Sequence, residues 1–317
     1  MNAEQLQSLV RFATLAPSSL NTQPWRFRVA ERYIDIAADL ARALPQNDPQ
    51  GRELAISCGC ALMNLRIAAL RLLLQPHVEL LPDGLEADTC ARVEWFAGEA
   101  GEFDQQLFDS MPIRRTHRKA FLDRVVAEDL VRGLDAAATR EGGWLTVISD
   151  VAMRRTIADC VAEGDRMQWS NEDWRRELAN WLRPRQAGDG LPVPLLTAVF
   201  ARSRVRRSDL GEKMAERNRR LANEAPVLAV LGTYGDAKAD WLVAGQALQR
   251  MLLWGAGNGL QAGFLNQPLQ VTSLRERVTN LLGVAGFPQM IVRIGYPASD
   301  VKPTPRRPLA DVTRMLI

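Results

Sequence analysis

The sequence predicts a fold of mixed helices and strands, with one plan laid down twice along a chain of 317 residues. Three observations carry that prediction. Apolar residues recur at helical spacing in some segments and gather into short strand-like runs in others. The second half repeats the segment order of the first. A long stretch without a counterpart then interrupts the second half.

Residues 4–15 read as a helix with Leu6, Leu9, Val10 and Ala13 on one face, stopped by Pro17. Arg26–Val29 and Tyr33–Ala37 read as a hairpin with polar residues at its bend. Glu53–Leu74 reads as a long helix that is apolar on more than one side, which predicts burial between layers. In the second half, Trp144–Ser149 and Ala225–Thr233 read as strands and Asp240–Trp254 as a second long helix. Cys58-Gly59-Cys60-Ala61-Leu62 can be laid over Ala244-Gly245-Gln246-Ala247-Leu248, and Trp25 with its strand over Trp144 with its own. The extra chain falls within about residues 151–224 and holds Trp169, Trp174 and Trp181 ahead of the basic run Arg202–Arg220. Trp174 and Trp181, seven apart, would share a helix face. The insertion therefore reads either as an amphipathic segment burying its tryptophans on the body of the fold or as a lid over a site.

Composition narrows the function. Hydrophobic residues at 47% and charged residues at 24% predict a globular protein with a sizeable core. A net charge of +3 argues against wholesale binding of nucleic acid or membrane. Arg202, Arg204, Arg206 and Arg207 could be offered as a nucleic-acid surface, but Glu212, Glu216 and Glu224 soon follow and no aromatics are interleaved. No apolar run approaches the roughly 18–20 residues that span a bilayer, and the N-terminus lacks the basic start of a signal peptide. Cys58, Cys60, Cys90 and Cys160 form no C-x-x-C pair, and Cys58 and Cys60 fall in an apolar helical pattern, which fits a reducing cytoplasm. His77 and His117 have no partners at ligand spacing, so no metal site is expected.

Two segments carry chemistry. The run Pro17-Ser18-Ser19-Leu20-Asn21-Thr22-Gln23-Pro24-Trp25 packs hydroxyls and carboxamides between stiffening prolines. Such a loop supplies uncharged donors and acceptors, as the edge of a planar heterocycle requires. Arg114, Arg115, Thr116 and Arg118 read either as a phosphate clamp of forked donors and a hydroxyl or as a solvated basic turn. The run Gly255-Ala256-Gly257-Asn258-Gly259 follows a helical pattern and reads as a helix end and turn, not as a dinucleotide fingerprint.

With these segments, Phe264-Leu265-Asn266-Gln267-Pro268 and the tail Pro303-Thr304-Pro305-Arg306-Arg307-Pro308-Leu309, the chain resembles the nitroreductase superfamily, in its branch of internally duplicated, Acg-like FMN-binding proteins. The resemblance implies an α+β fold of two fused, pseudo-symmetric halves, 1–108 and 109–317. Each would be a mostly antiparallel sheet packed with helices, with the lid insertion in the second. It implies one FMN per chain, between the halves: Pro17, Ser18, Ser19, Asn21 and Gln23 would approach the ring or ribityl chain. Arg114, Arg115, Thr116, Arg118, Arg306 and Arg307 would hold the phosphate, and Asn266 and Gln267 would lie near the reactive edge of the ring. Many relatives carry an acidic residue and a glycine where this chain has Asn266 and Gln267. The activity implied is hydride transfer from a transiently bound NAD(P)H through the flavin to an electron-poor small molecule: a nitroaromatic, quinone or activated alkene. No dedicated catalytic side chain is identifiable. The alternative is a protein that stores FMN beneath a lid carrying Trp169, Trp174 or Trp181. A monomer or homodimer in the cytoplasm, without nucleic-acid or membrane partners, is expected.

Overall fold

A computed structural model describes residues 1–96 and 104–316 and has an α+β architecture. Strands β1 (Trp25–Val29), β2 (Tyr33–Ala38), β3 (Gln75–Leu80) and β4 (Thr89–Phe96) form one sheet. Strands β5 (Trp144–Val147), β8 (Val227–Thr233), β9 (Gln261–Phe264) and β10 (Phe287–Gly295) form another in the order β5-β8-β10-β9, wholly antiparallel. The C-terminal β11 (Thr313–Met315) crosses back to pair parallel with β1, giving the first sheet the order β11-β1-β2-β4-β3. A small parallel ribbon joins β6 (Leu182–Pro184) and β7 (Leu191–Val193).

The first helix, α1 (Ala3–Ala13), is closed at its start by a reciprocal Asn2–Gln5 capping box and buries Leu6, Leu9, Val10 and Ala13, the face expected from spacing. Helices α2 (Arg52–Arg71) and α9 (Lys238–Gly257) cross at the centre of the molecule. Gly59 and Gly245 meet there. A Cβ on Gly59 would stand 2.3 Å from the Leu242 carbonyl oxygen, and one on Gly245 would stand 2.1 Å from that of Ile56. No side chain fits such an approach, so the two glycines that the sequence overlay brings into register set the distance between the helices. Around the crossing, Gln249 Nε2 donates to Asn64 Oδ1 at 2.7 Å. Helix α2 is long and apolar enough to cross a membrane by composition, but it is a buried core helix of this fold.

Short helices α3 (Gln105–Ser110) and α4 (Glu128–Thr139) pack on α9. The insertion supplies α5 (Val151–Ser170), α6 (Glu172–Asn180), the β6–β7 ribbon, α7 (Ala198–Arg207) and α8 (Gly211–Asn223), with α5 lying along α8. Helix α10 (Thr272–Leu282) and the short α11 (Leu309–Val312) complete the chain. Helix α6 ends at Asn180 with Trp181 as its C-cap, both Trp174 and Trp181 are buried, and Trp169 packs edge-on to Trp174 at 5.5 Å between ring centroids. Helix α9 runs through Gly257, and the turn expected from the glycine run begins only at Asn258. All four cysteines are buried and unpaired.

Candidate functional site

Two adjoining cavities of about 300 and 180 Å³ lie between the first-sheet elements, the second sheet and the insertion. Pro17, Ser18, Thr116 and Arg118 line both and stand where the two adjoin.

The smaller cavity is cationic. Arg114, Arg115, Lys302 and Arg306 line it beside Ser18, Asn21 and Thr116. The segment 114–118 is fixed to the edge of the second sheet: Thr116 bridges Ala262, the His117 N–H donates to the Ala262 carbonyl at 2.7 Å, and Arg115 N–H donates to Gln261 Oε1 at 2.7 Å. Arg114 is buried and donates through one Nη to the Leu15 carbonyl, while its Nε and other Nη have no partner. Arg306 donates to the carbonyls of Thr14, Leu15 and Ala16, which close α1. Among the described residues no carboxylate lies within ion-pair distance of Arg114, Arg115 or Arg306. Burial, followed by repulsion from Arg115 and Arg118, pulls the Arg114 guanidinium down to about 10. Burial, followed by Arg114 and Arg115, pulls Arg306 down to about 9.

The larger cavity is bounded by neutral amides and apolar walls. Asn266 is held by an N–H of Ile291 donating to its Oδ1 at 2.9 Å. Gln267 donates to Asp165 Oδ1 at 3.2 Å and keeps its own buried Oε1 without a partner. Asp165 on α5 also accepts from Asn218 Nδ2 of α8 at 2.8 Å, and burial raises its carboxyl to about 6. A second carboxyl, Glu53 at the start of α2, accepts from Ser19 Oγ and from Gln270 Nε2, and burial pushes it above its ordinary range too. Gln168 Nε2 donates to Gln270 Oε1 at 2.7 Å, so Gln168, Gln270, Glu53 and Ser19 form one connected wall.

The signature loop is strained. Leu20, Asn21 and Gln23 all have φ near +50°, a region costly for residues with a side chain. The surroundings hold it there. Gln23 N–H donates to Ser18 Oγ, and Gln23 Nε2 donates to the Gly188 carbonyl at 2.9 Å. Asn21 Nδ2 donates to the carbonyls of Gly190 and Pro305, and the Arg307 N–H donates to Gln23 Oε1 at 2.9 Å.

The expected site residues thus divide. Pro17, Ser18, Ser19, Arg114, Arg115, Thr116, Arg118, Asn266, Gln267 and Arg306 line the cavities, and Asn21 lines the cationic one. Gln23 and Arg307 line neither. Gln23 fastens the insertion and tail to the loop, and Arg307 reaches Asp39 at 3.3 Å and the carbonyl of Gln23. Of the lid tryptophans only Trp174 lines the larger cavity, its indole N–H donating to Asn47 Oδ1 at 3.1 Å. Trp169 packs edge-on to Trp174, and Trp181 lies against the guanidiniums of Arg42 and Arg183. Sequence reasoning missed Glu53 and Asp165. The signal for Glu53 was a charged pair, Arg52-Glu53, opening an apolar buried helix; for Asp165 it was an acid four residues beyond Val161 on the buried face of α5.

The model of the nitroreductase family matches residues 1–57 and 113–296. A Mycobacterium tuberculosis H37Rv protein provisionally named NAD(P)H nitroreductase Rv3131 is 29% identical, over 98% of this chain and 91% of the relative. The similarly named Acg of the same strain is 26% identical, over 98% of this chain and 96% of the relative. A crystal structure of the FMN-dependent nitroreductase NfnB from Mycobacterium smegmatis, in complex with NADPH, aligns with a TM-score of 0.45 at 19% identity, covering 66% of this chain and 97% of that one.

Proposed function

Since the chain belongs to the nitroreductase family, we propose that it is an FMN-dependent oxidoreductase that takes hydride from NAD(P)H and gives it to an electron-poor small molecule. The observation that carries this reading is the pair of guanidiniums, Arg114 buried and Arg306 part-buried, crowded together without a counter-anion among the described residues and, at Arg114, with donors left over. Burying such groups costs free energy that a phosphate dianion would return. The cationic cavity shares four lining residues with a second one that has amides on its walls, which suits a phosphate joined by a polyol to a flat heterocycle.

On this reading Arg114, Arg306 and Thr116 hold the phosphate, Ser18 and Arg118 flank the linker, and Ser19, Asn266 and Gln267 border the ring. FMN, when bound, supplies two-electron chemistry that no side chain here offers. The protein's part is to orient it, to exclude water with Trp174, Leu178 and Leu191, and to surround it with fixed dipoles. A stoichiometry of one FMN per chain goes with this proposal, because the clamp 114–118 and the loop 17–23 each occur once in the sequence. So does descent from a duplication with halves 1–108 and 109–317, for which the Gly59–Gly245 crossing is the support. The test is the visible spectrum of the purified protein before and after anaerobic NADPH, followed by turnover with menadione or a nitroaromatic. A protein that cannot be loaded with flavin overturns the reading.

One observation favours FMN storage as the second reading. The two cavities together lie at the small end of single-ligand sites. With FMN in place, a second planar ligand would need the wall bearing Trp174 to give way. Flavin that stays oxidised under excess NADPH would select storage.

A further inference from the structure

We propose that Asp165 is the proton donor to a quinone-type acceptor bound in the larger cavity. The inference rests on the FMN-dependent reading and adds to it a catalytic side chain. Reduction of a quinone to its hydroquinone takes a hydride and a proton. The hydride, originating from NAD(P)H, brings both electrons and one hydrogen. The remaining proton must form the second O–H bond as the two C=O bonds become C–O and the ring becomes aromatic. If Asp165 gives that proton, its own O–H bond breaks, it is left as a carboxylate, and water reprotonates it.

Geometry singles out this group. Asp165 lines the cavity although its residue is almost wholly buried. It is placed there by close packing: a Cβ on the preceding residue, Gly164, would fall 2.9 Å from the Gln267 carbonyl carbon, so a glycine is needed for α5 to reach the 266–267 loop. The two donors, Asn218 Nδ2 and Gln267 Nε2, fix the orientation of its carboxyl. The other candidates are committed elsewhere. Glu53 is enclosed by Ser19, Gln270 and the Arg52 guanidinium at 3.7 Å. His117 sets Nε2 against the Ala120 carbonyl at 2.9 Å and stacks on Phe121; in the neutral ring an Nε2 facing a carbonyl carries the N–H, which leaves the unpartnered Nδ1 as an acceptor and not a donor.

The charged groups around Asp165 explain why it can hold a proton near neutrality. Burial raises it, and Asn218, Gln267, Arg217 of α8 and Arg166 of its own helix offset only part of that rise. Glu53 of α2 and Arg118 of the clamp border the same cavity. A donor whose affinity for protons lies near the working pH is efficient in both states.

The test compares wild type with Asp165→Asn, Asp165→Glu and Asn218→Leu. FMN uptake and anaerobic reduction by NADPH are measured first, then reoxidation by menadione across pH 5–9. In parallel, carbon-13 NMR follows the aspartate carboxyls of the FMN-loaded protein without substrates. Wild-type reoxidation should fall about tenfold per pH unit above the carboxyl's midpoint. Asp165→Asn should reduce with NADPH normally but reoxidise about 10²-fold more slowly at pH 6, with a flat profile. Asp165→Glu should restore the slope, and Asn218→Leu, by removing a donor to the carboxylate, should move the break to higher pH. One carboxyl resonance should titrate near 6 in wild type and vanish in Asp165→Asn. An Asp165→Asn profile parallel to wild type, or no carboxyl titrating above the ordinary aspartate range, overturns the assignment while leaving the cofactor reading intact. Failure of wild type to take up FMN overturns both.

Discussion

The two ends of the cleft are finished to different degrees. At the cationic end, buried Arg114 and part-buried Arg306 have repelling neighbours and no counter-anion among the described residues, and Arg114 keeps spare donors. At the amide end, Asp165 and Glu53 each accept two hydrogen bonds, and Gln168, Gln270 and Ser19 are joined in a network. Polar groups are normally satisfied when buried. A buried cation without a counter-anion is organised around something from outside, whereas the amide end, with its carboxyls satisfied and neutral Gln267 Oε1 left over, is organised largely for itself and meets its ligand through what it leaves exposed. The first should govern affinity; the second should govern chemistry.

The largest way to break that contrast is to remove the unfinished charge. Arg114→Ala and Arg306→Ala should each weaken FMN binding by about 10²-fold, the scale of a charge-assisted bond or two at about 1.5–3 kcal/mol each. Riboflavin, which lacks the phosphate, should bind wild type and variants alike. Calorimetric titration of both ligands checks this. Equal losses for the two ligands would place the effect on the fold rather than on the phosphate.

A second prediction concerns stability at the amide end. The Asp165 carboxyl stands at about 6 in the fold against an ordinary value of 3.8. A carboxyl with a raised folded value favours folding fully below the unfolded value, and that contribution is lost as pH rises through about 6. The difference is worth about 3 kcal/mol at most. The stability of Asp165→Asn relative to wild type should therefore climb between pH 4 and pH 8 by up to that amount. Urea unfolding of the flavin-free protein at both pH values reads it directly. A constant difference would mean that the carboxyl titrates in its ordinary range.

Much of this was legible in the sequence, for identifiable reasons. The faces of α1 and α2 follow from helical spacing, and the gathering of Arg114, Arg115, Thr116 and Arg118 at one cavity follows from their nearness in sequence. The roles of Gln23 and Arg307 were not legible. Both sit in motif positions, yet their partners, Gly188, Asp39 and each other, lie far away in sequence. Nor does periodicity say which way a side chain leaves a loop with three residues at positive φ. Asp165 was hidden for a related reason: its meaning depends on Gln267, some hundred residues on, and on the glycine that lets α5 approach it.

The Gln23 contacts give a third prediction, which links the two ends. Gln23→Ala removes two hydrogen bonds that hold the insertion and tail against the strained loop. It should cost about 1–3 kcal/mol of stability. It should also weaken FMN binding several-fold, because Arg306 is the tail residue next to the one that Gln23 anchors. Denaturant midpoints and FMN affinity should fall together. Loss of affinity without loss of stability would instead put Gln23 in contact with the cofactor.

The smallest expected effect decides what the wall does. Trp174→Phe keeps an aromatic plug but removes the indole N–H bonded to Asn47 and reduces the volume beside the cavity. Stability should drop by about 1 kcal/mol, the value of one ordinary hydrogen bond. If the wall limits access, the same change should raise turnover with bulky quinones several-fold and leave small acceptors nearly unaffected, since only a ligand too large for the space left beside the cofactor needs the wall to yield. Steady-state rates with a size series of quinones separate the cases. A uniform change across the series would mean that Trp174 acts on the cofactor and not on the acceptor, and the amide end would then govern binding as much as chemistry.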